Sequence, residues 1–164
     1  MVHVTFTLNG EKVSVDVKPN EILLDTLRLR LGVKSVKRGC ERGECGVCTV
    51  LLDGKPVYSC MILTVRVDGH EVTTIEGVAE TTLFKKIVNS FLERSVVQCG
   101  YCLPGILLTA YSFWRERYSS VGTEEVVKAI EGHLCRCTGY RRIVEAVKNA
   151  FFTPPLGSSR RRVV

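Results

Sequence analysis

Eight cysteines carry most of the chemistry available to this sequence of 164 residues. They form two groups of four along the chain: Cys40, Cys45, Cys48 and Cys60, then Cys99, Cys102, Cys135 and Cys137. Four thiolates complete one iron-sulfur cluster or one closed zinc site. In a chain without an export signal they are not expected to form disulfides, because cytosolic reductants keep thiols reduced. The cysteines therefore predict two metal centres.

The first group lies in the segment GCERGECGVCTV and has the spacing C-x4-C-x2-C, and eleven residues separate its last cysteine from Cys60. This is the spacing of plant-type ferredoxins, which bind one 2Fe-2S cluster. The glycines of the segment lack a Cβ and let the backbone come close to the sulfurs. A zinc ribbon usually supplies two C-x2-C knuckles, whereas here there is one. The spacing favours a cluster over zinc.

The second group combines C-x2-C in QCGYCLPG with C-x-C in HLCRCTGY. By spacing alone, zinc and iron-sulfur are comparable alternatives. Both pairs lie at predicted helix boundaries, with Pro104 in the first turn of one helix and Thr138 as the cap of the next. The positive end of a helix dipole stabilises an anionic cluster. His133 is interpreted as a structural or surface residue, because the eight cysteines already complete both sites.

The first half of the chain has the pattern of a small mixed sheet crossed by one helix. Alternating apolar residues predict two hairpins that turn at Asn-Gly and Asp-Gly, and a further short strand in EVTTI at 71–75. Between the hairpins, leucines at helical spacing predict a helix that Asn20 caps and Gly32 ends.

After residue 77 the pattern becomes helical. Four helices are predicted: one behind a Thr81 or Thr82 cap, then 106–118, then 124–134 behind a Thr123 cap, and finally 140–151. Four amphipathic helices with short connections indicate a bundle. The composition of residues 154–164 predicts a disordered basic tail, since prolines, glycine and serines precede Arg160, Arg161 and Arg162.

Charge and hydropathy narrow the function classes. The formal net charge of +6 raises the question of nucleic acid. Two oxidised clusters with their thiolates contribute about −2 each, which brings the charge to about +2, so no nucleic-acid partner is expected. No long apolar run or signal peptide is found, so we expect no membrane span and a cytoplasmic location.

Taken in order, GCERGECGVCTV, CGYCLPG and CRCTGY closely resemble the iron-sulfur subunit or domain of the xanthine-oxidase family of molybdenum hydroxylases. The resemblance covers about residues 3–152. It implies an α+β chain with an N-terminal β-grasp ferredoxin-like domain over 1–77 and a C-terminal four-helix bundle over 78–153, with one 2Fe-2S cluster in each.

The resemblance also implies partners and a direction of electron flow. A large subunit would carry the molybdenum-pterin cofactor and a medium subunit FAD, in a dimer of heterotrimers. Electrons would pass from the pterin to the helical-domain cluster, then to the ferredoxin-like cluster and to FAD. Gln98 and Cys137 would lie near the pterin, and this chain would hold no substrate-converting site. Tyr101 and Leu103 stand where relatives often have Phe and Thr, a change expected to alter packing at the pterin interface.

Several alternatives stay open. An aldehyde is the expected substrate of the holoenzyme, with carbon monoxide or an N-heterocycle as alternatives. A free-standing ferredoxin-like carrier is the main rival, although it would have little use for the second domain. A zinc-binding structural module is a rival of another class, and it predicts a colourless protein with two zinc ions.

Overall fold

The N-terminal half forms one mixed β-sheet. The structure, a computed structural model, describes residues 1–117 and 121–155. Five strands lie in the order β2-β1-β5-β3-β4, with the bounds β1 (Val2–Leu8), β2 (Glu11–Val17), β3 (Thr49–Leu52), β4 (Lys55–Tyr58) and β5 (Glu71–Thr73). β1 and β2 are antiparallel, as are β3 and β4, and a parallel pairing of β1 with β5 joins the two hairpins.

Both hairpin turns are those that the sequence predicts. Asn9 and Gly10 have φ angles of 53° and 87°, and Asp53 and Gly54 have 48° and 79°. A type I′ turn requires positive φ at both central residues, which explains the Asn-Gly and Asp-Gly pairs. The strand predicted over 71–75 is shorter, because Ile75 already belongs to the short helix α2 (Ile75–Val78).

One short helical segment packs across the sheet. It consists of α1 (Leu23–Asp25) followed by a wider turn over Thr26–Arg30. The predicted cap at Asn20 is wrong, since Ile22 occupies the cap position and no side chain caps the helix. The entry is instead fixed by backbone pairing, because the Leu23 N–H donates to the Ile62 carbonyl at 2.7 Å.

The C-terminal half is helical. Its main helices are α3 (Thr82–Glu93), α4 (Leu103–Arg115), α5 (Thr123–Ile130) and α6 (Tyr140–Asn149), followed by a 3-10 turn over Ala150–Phe152. α3 packs on α4 and α6, and α5 packs on the same two helices. Trp114 is buried in this core and its indole N–H donates to the Val147 carbonyl at 2.7 Å. Within the described ranges, no helix has the length and apolar character that a membrane crossing needs.

Two further predicted helix caps, in the helical half, are wrong. α5 begins after Gly122, whose backbone N–H donates to the Glu125 carboxylate at 2.8 Å, so Thr123 is not the cap. α6 begins after Gly139 at φ 77°, and the Thr138 hydroxyl donates instead to the Val96 carbonyl. α5 also ends at Ile130, earlier than predicted.

α4 begins at Leu103, before its predicted start, and ends at Arg115, before the predicted end at Tyr118, which itself lies outside the described residues. Of the predicted tail, Pro154 and Pro155 are described, and Arg160 to Arg162 lie outside the described residues.

The two halves pack against each other through α4. This helix contacts β3 and β4, and buried Leu51 and Leu108 belong to one apolar cluster that bridges them. The Ser112 hydroxyl of α4 donates to the Gly54 carbonyl in the second hairpin turn at 3.0 Å. This packing brings the two cysteine groups to a common boundary.

The Thr81 cap offers a matched test of the helical half. Its hydroxyl accepts the Phe84 N–H at 3.3 Å, whereas the neighbouring Thr82 is exposed and is the first residue of the helix. We expect Thr81→Ala to lower the free energy of unfolding by about 1 kcal/mol. Thr82→Ala is the control and should change it little. Denaturant titration of the cluster-loaded protein measures both, and equal losses would show that the cap has no special role.

Candidate metal centres

The first cysteine group lies on the loop that leads from the helical segment into β3, with Cys60 at the end of the second hairpin. Cys48 directly precedes β3, and Cys60 belongs to a 3-10 turn after β4. The N–H and hydroxyl of Ser59 both donate to the Cys48 carbonyl, at 3.3 and 2.7 Å. The hairpin thereby holds Cys48 and Cys60 side by side.

The thiols of this group form two contacting pairs. The Cys40 thiol interacts with the Cys45 thiol, and the Cys48 thiol with the Cys60 thiol. Two pairs are the arrangement that a 2Fe-2S core requires, because each of its two irons takes two thiolates. The spacing of the cysteines in the sequence predicts a 2Fe-2S cluster but does not say which thiols pair. The observed pairing agrees with that prediction.

Backbone N–H groups point at the sulfurs of the loop. The Glu44 N–H donates to the Cys40 sulfur at 3.3 Å, and the Cys40 N–H donates to the Cys45 sulfur at 3.4 Å. Backbone hydrogen bonds lower the pKa of Cys40 to about 7, and the one from Arg42 contributes most. Burial raises the pKa of Cys60 to about 11. The loop therefore favours the thiolate form at its exposed end.

Glycines leave the space that this wrapping needs. A Cβ on Gly39 would lie 2.8 Å from the Cys45 sulfur. Gly43 and Gly46 have φ angles of 77° and 70°, a region that L side chains rarely adopt. Glycine is thus required at Gly39 because neighbouring side-chain atoms are close, at Gly43 because of the backbone conformation, and at Gly46 because of both its conformation and its close neighbours.

The second cysteine group lies in two connections of the helical half. Cys99 and Cys102 precede α4, with Pro104 in its first turn, and Cys135 and Cys137 precede α6. All four cysteines line one small cavity, together with Gln98. The thiols again form two pairs, Cys102 with Cys135 and Cys99 with Cys137. The structure thus brings together every residue that the sequence assigns to this site.

The cysteines of this group differ in solvent exposure. Burial raises the pKa of Cys102 to about 12, whereas Cys99 and Cys137 are exposed. Gln98 is also exposed. One side of the site faces the protein core and the other faces the surface, where a partner can approach.

The residues of both groups fit a two-iron cluster. Among the described residues, no three histidine, cysteine or acidic side chains are grouped to hold a single metal ion. Four thiolates around two irons are spread more widely than the four ligands of one zinc ion. The fit to a cluster rests on the paired thiols, on the sulfur-directed N–H groups and on the room that the glycines leave.

The segments that carry the two cysteine groups meet at the boundary between the sheet and the helices, which we call the seam. The Leu134 N–H, next to Cys135, donates to the Cys45 carbonyl at 3.0 Å. The Tyr101 hydroxyl donates to the Arg38 carbonyl at 2.6 Å, and the Tyr58 hydroxyl to the Gly132 carbonyl at 3.0 Å. These bonds connect the segments that carry the two groups.

His133 lies inside this seam and not on the surface. It is 3% exposed, and its Nε2 is 2.8 Å from the Thr109 hydroxyl. Burial lowers its pKa to about 4. The structural interpretation of His133 agrees with this position. Sequence reasoning missed the seam tyrosines, because their partners lie more than sixty residues away and no local pattern indicates such contacts.

Two family models match the chain. One is described as a 2Fe-2S iron-sulfur cluster binding domain and matches residues 6–74, and the other, a 2Fe-2S binding domain, matches residues 74–148. Each match contains one of the two cysteine groups.

Relatives and solved structures match over nearly the whole chain. The nicotinate dehydrogenase small FeS subunit of Eubacterium barkeri is 44% identical over 91% of this chain and 94% of that protein. The aldehyde oxidoreductase of Megalodesulfovibrio gigas is 37% identical over 92% of this chain, which corresponds to 17% of its own length. The structure of quinoline 2-oxidoreductase from Pseudomonas putida 86 matches with a TM-score of 0.85 and 37% identity, and the match covers 92% of this chain and 93% of that chain.

Proposed function

The chain belongs to the iron-sulfur subunits of the xanthine-oxidase family of molybdenum hydroxylases, and from this premise we propose that it relays single electrons from a molybdenum-pterin site to FAD. It is the iron-sulfur subunit of an oxidoreductase. The pterin would lie on a large partner subunit and the FAD on a medium one. The observation that carries the proposal is the grouping of the eight cysteines in two sets of four, with backbone N–H groups directed at sulfurs of the first set and all four cysteines of the second set lining one cavity.

We assign one 2Fe-2S cluster to each group. The ferredoxin-like cluster would be held by Cys40, Cys45, Cys48 and Cys60, and the helical-domain cluster by Cys99, Cys102, Cys135 and Cys137. When bound, such clusters accept and release one electron at a time. The N–H groups directed at the sulfurs of Cys40 and Cys45 would stabilise the thiolate charge there. At the second site, α4 begins directly after Cys102, so its positive end faces the thiolates.

The exposed side of the second group is the proposed entry point for electrons. Gln98 and Cys137 are both exposed and line the same cavity, which supports a position close to the pterin of the large subunit. The amide of Gln98 can both donate and accept hydrogen bonds, as recognition of a pterin ring requires. The role of this chain is then to position the acceptor, because substrate conversion would take place on the large subunit.

The domain assignment follows the same division. We propose a ferredoxin-like domain over 1–77 and a four-helix domain over 78–153, each with its own cluster, and the family models support this with matches that meet at residue 74. The dimer of heterotrimers and the cytoplasmic location stay predictions.

The substrate of the complex is a separate proposal. An aldehyde stays the prediction from sequence, and the likeness to an aldehyde oxidoreductase supports it. An N-heterocycle is the second candidate, because the nicotinate dehydrogenase subunit is 44% identical and the quinoline 2-oxidoreductase structure has a TM-score of 0.85. Assay of the purified complex with both substrate classes would decide between them.

The electron-transfer function is tested by metal and spin analysis of the complex purified without oxygen. We expect about four irons and four sulfides in this chain and two distinct electron paramagnetic resonance signals after dithionite, since the two sites differ in surroundings. Co-purification with subunits that contain molybdenum and FAD is expected. Two tightly bound zinc ions and no iron would support the structural zinc module instead, and a chain that purifies alone with its clusters would support a free carrier.

A further inference from the structure

The seam between the sheet and the helices has polar contacts that the ligation of the clusters does not require. Two of them come from tyrosine hydroxyls, one on each side of the seam. In each contact, the tyrosine lies within two positions of a cysteine of its own group. The carbonyl that accepts its hydrogen bond lies within three positions of a cysteine of the other group. Because both contacts act on the segments that position the thiols, they fix how far apart the two groups lie.

Tyr58 makes the contact from the sheet side. It ends β4, two residues before Cys60, and its hydroxyl donates to the Gly132 carbonyl at 3.0 Å. Its ring meets the ring of His133 edge to face, with 6.4 Å between the centroids. A Cβ on Gly132 would collide with this hydroxyl, so glycine leaves the space for it.

Tyr101 makes the contact from the helical side. Tyr101 lies between Cys99 and Cys102 in the sequence and is 48% exposed, yet its hydroxyl donates to the Arg38 carbonyl at 2.6 Å. Arg38 is anchored in the first domain, because its guanidinium pairs with Asp25 and with Glu41. The acceptor is therefore held in place, and the bond restrains the loop that carries Tyr101.

We propose that Tyr58 and Tyr101, whose hydroxyls are the two tyrosine hydroxyls that donate across the seam, form a two-point clamp. This clamp holds the two cysteine groups at the spacing needed for electron transfer between them. The clamp rests on the proposed function, since this spacing matters only if both groups hold redox centres. Electron transfer slows steeply as the distance between two centres grows. Both tyrosines are thus positioning residues, and neither is a ligand.

The Leu134 amide reports on the clamp directly. Its N–H donates across the seam to the Cys45 carbonyl at 3.0 Å, so it exchanges with solvent when the seam opens. The experiment compares Tyr58→Phe, Tyr101→Phe and the double variant in the purified complex with clusters in place. One lost hydroxyl bond should raise the exchange rate of the segment around Leu134 roughly 3- to 10-fold. Independent contacts should multiply in the double variant to roughly 10- to 100-fold.

A second measurement reads the spacing itself. The magnetic interaction between the two reduced clusters, measured by electron paramagnetic resonance, should weaken in the double variant, because the clusters would lie farther apart. The control is Tyr111→Phe, because the ring of Tyr111 packs against Phe84 and its hydroxyl has no hydrogen bond among the described residues. The control should match the unmodified protein in both measurements.

The outcomes separate the two proposals. Unchanged exchange and unchanged magnetic interaction in the double variant, with about four irons retained, would overturn the clamp and leave the proposed function standing. An equal increase in Tyr111→Phe would also overturn the clamp. A chain without iron in the unmodified complex would overturn the proposed function, and with it the role of the clamp in electron transfer.

Discussion

Cys102→Ser should leave about two irons per chain in place of about four and remove one of the two reduced-cluster signals. Cys102 is buried, lies directly before α4 and is paired with Cys135. Serine at this position replaces a thiolate by a hydroxyl that holds its proton far more strongly and binds iron poorly. Because the site has no spare cysteine, we expect the whole second cluster to be lost.

Cys60→Ser provides the reciprocal case. Cys60 is buried and paired with Cys48 in the other group, so its loss should remove the other signal and the other pair of irons. Each variant is thereby the control for the other. Iron analysis and electron paramagnetic resonance after dithionite measure both variants. If either substitution removed both signals or neither, the assignment of one cluster to each group would be wrong.

The electron path gives these variants a second consequence. If the chain relays electrons through both centres in series, loss of either cluster should reduce substrate-driven reduction of FAD in the complex by several orders of magnitude. Reduction of the remaining cluster by dithionite should continue, since dithionite acts on it directly. A complex that kept normal FAD reduction after loss of one cluster would contradict a serial relay.

Local features could be predicted from the sequence where short-range chemistry determines them. Asn9-Gly10 and Asp53-Gly54 are such cases, because positive φ at both positions leaves few residue choices. The cysteine groups are another, since a ligand set must be complete whatever the fold around it. The cap at Thr81 followed the same logic.

Predictions failed where a distant contact competes with a local one. Thr138 looked like a helix cap, yet its hydroxyl donates to the Val96 carbonyl, forty-two positions away. Asn20 lost its capping role because the backbone before Leu23 pairs with the turn around Ile62. Tyr101 was expected to affect only packing, and its hydroxyl instead crosses the seam. No local pattern in the sequence indicates which of these distant atoms will be adjacent.

At Gly46, both the backbone conformation of the first cysteine loop and the packing at the seam exclude a side chain. Its φ is 70°, and a Cβ there would collide with the His133 ring and with the Gly132 carbonyl. On the other side, a Cβ on Gly105 of α4 would collide with the Gly46 carbonyl. The Gly46 backbone is therefore enclosed by the helical half.

We expect Gly46→Ala to lower the free energy of unfolding by about 2 to 4 kcal/mol, from a strained backbone and an overfilled seam together. For a chain of this size that corresponds to a thermal midpoint lower by roughly 10 °C. The substitution should also raise amide exchange around Leu134, because the alanine methyl group would force apart the two segments that the Leu134–Cys45 bond joins.

Gly69→Ala is the matched control for this prediction. Gly69 has nearly the same backbone conformation, with φ 76°, but a Cβ there would meet nothing within 4 Å. It isolates the backbone strain, which should cost about 1 kcal/mol, and it should leave exchange around Leu134 unchanged. The difference between the two variants then measures how tightly the helical half closes on the first cysteine loop. Equal losses of stability would show that Gly46 is required for its conformation alone, and that the seam can accommodate a methyl group beside His133.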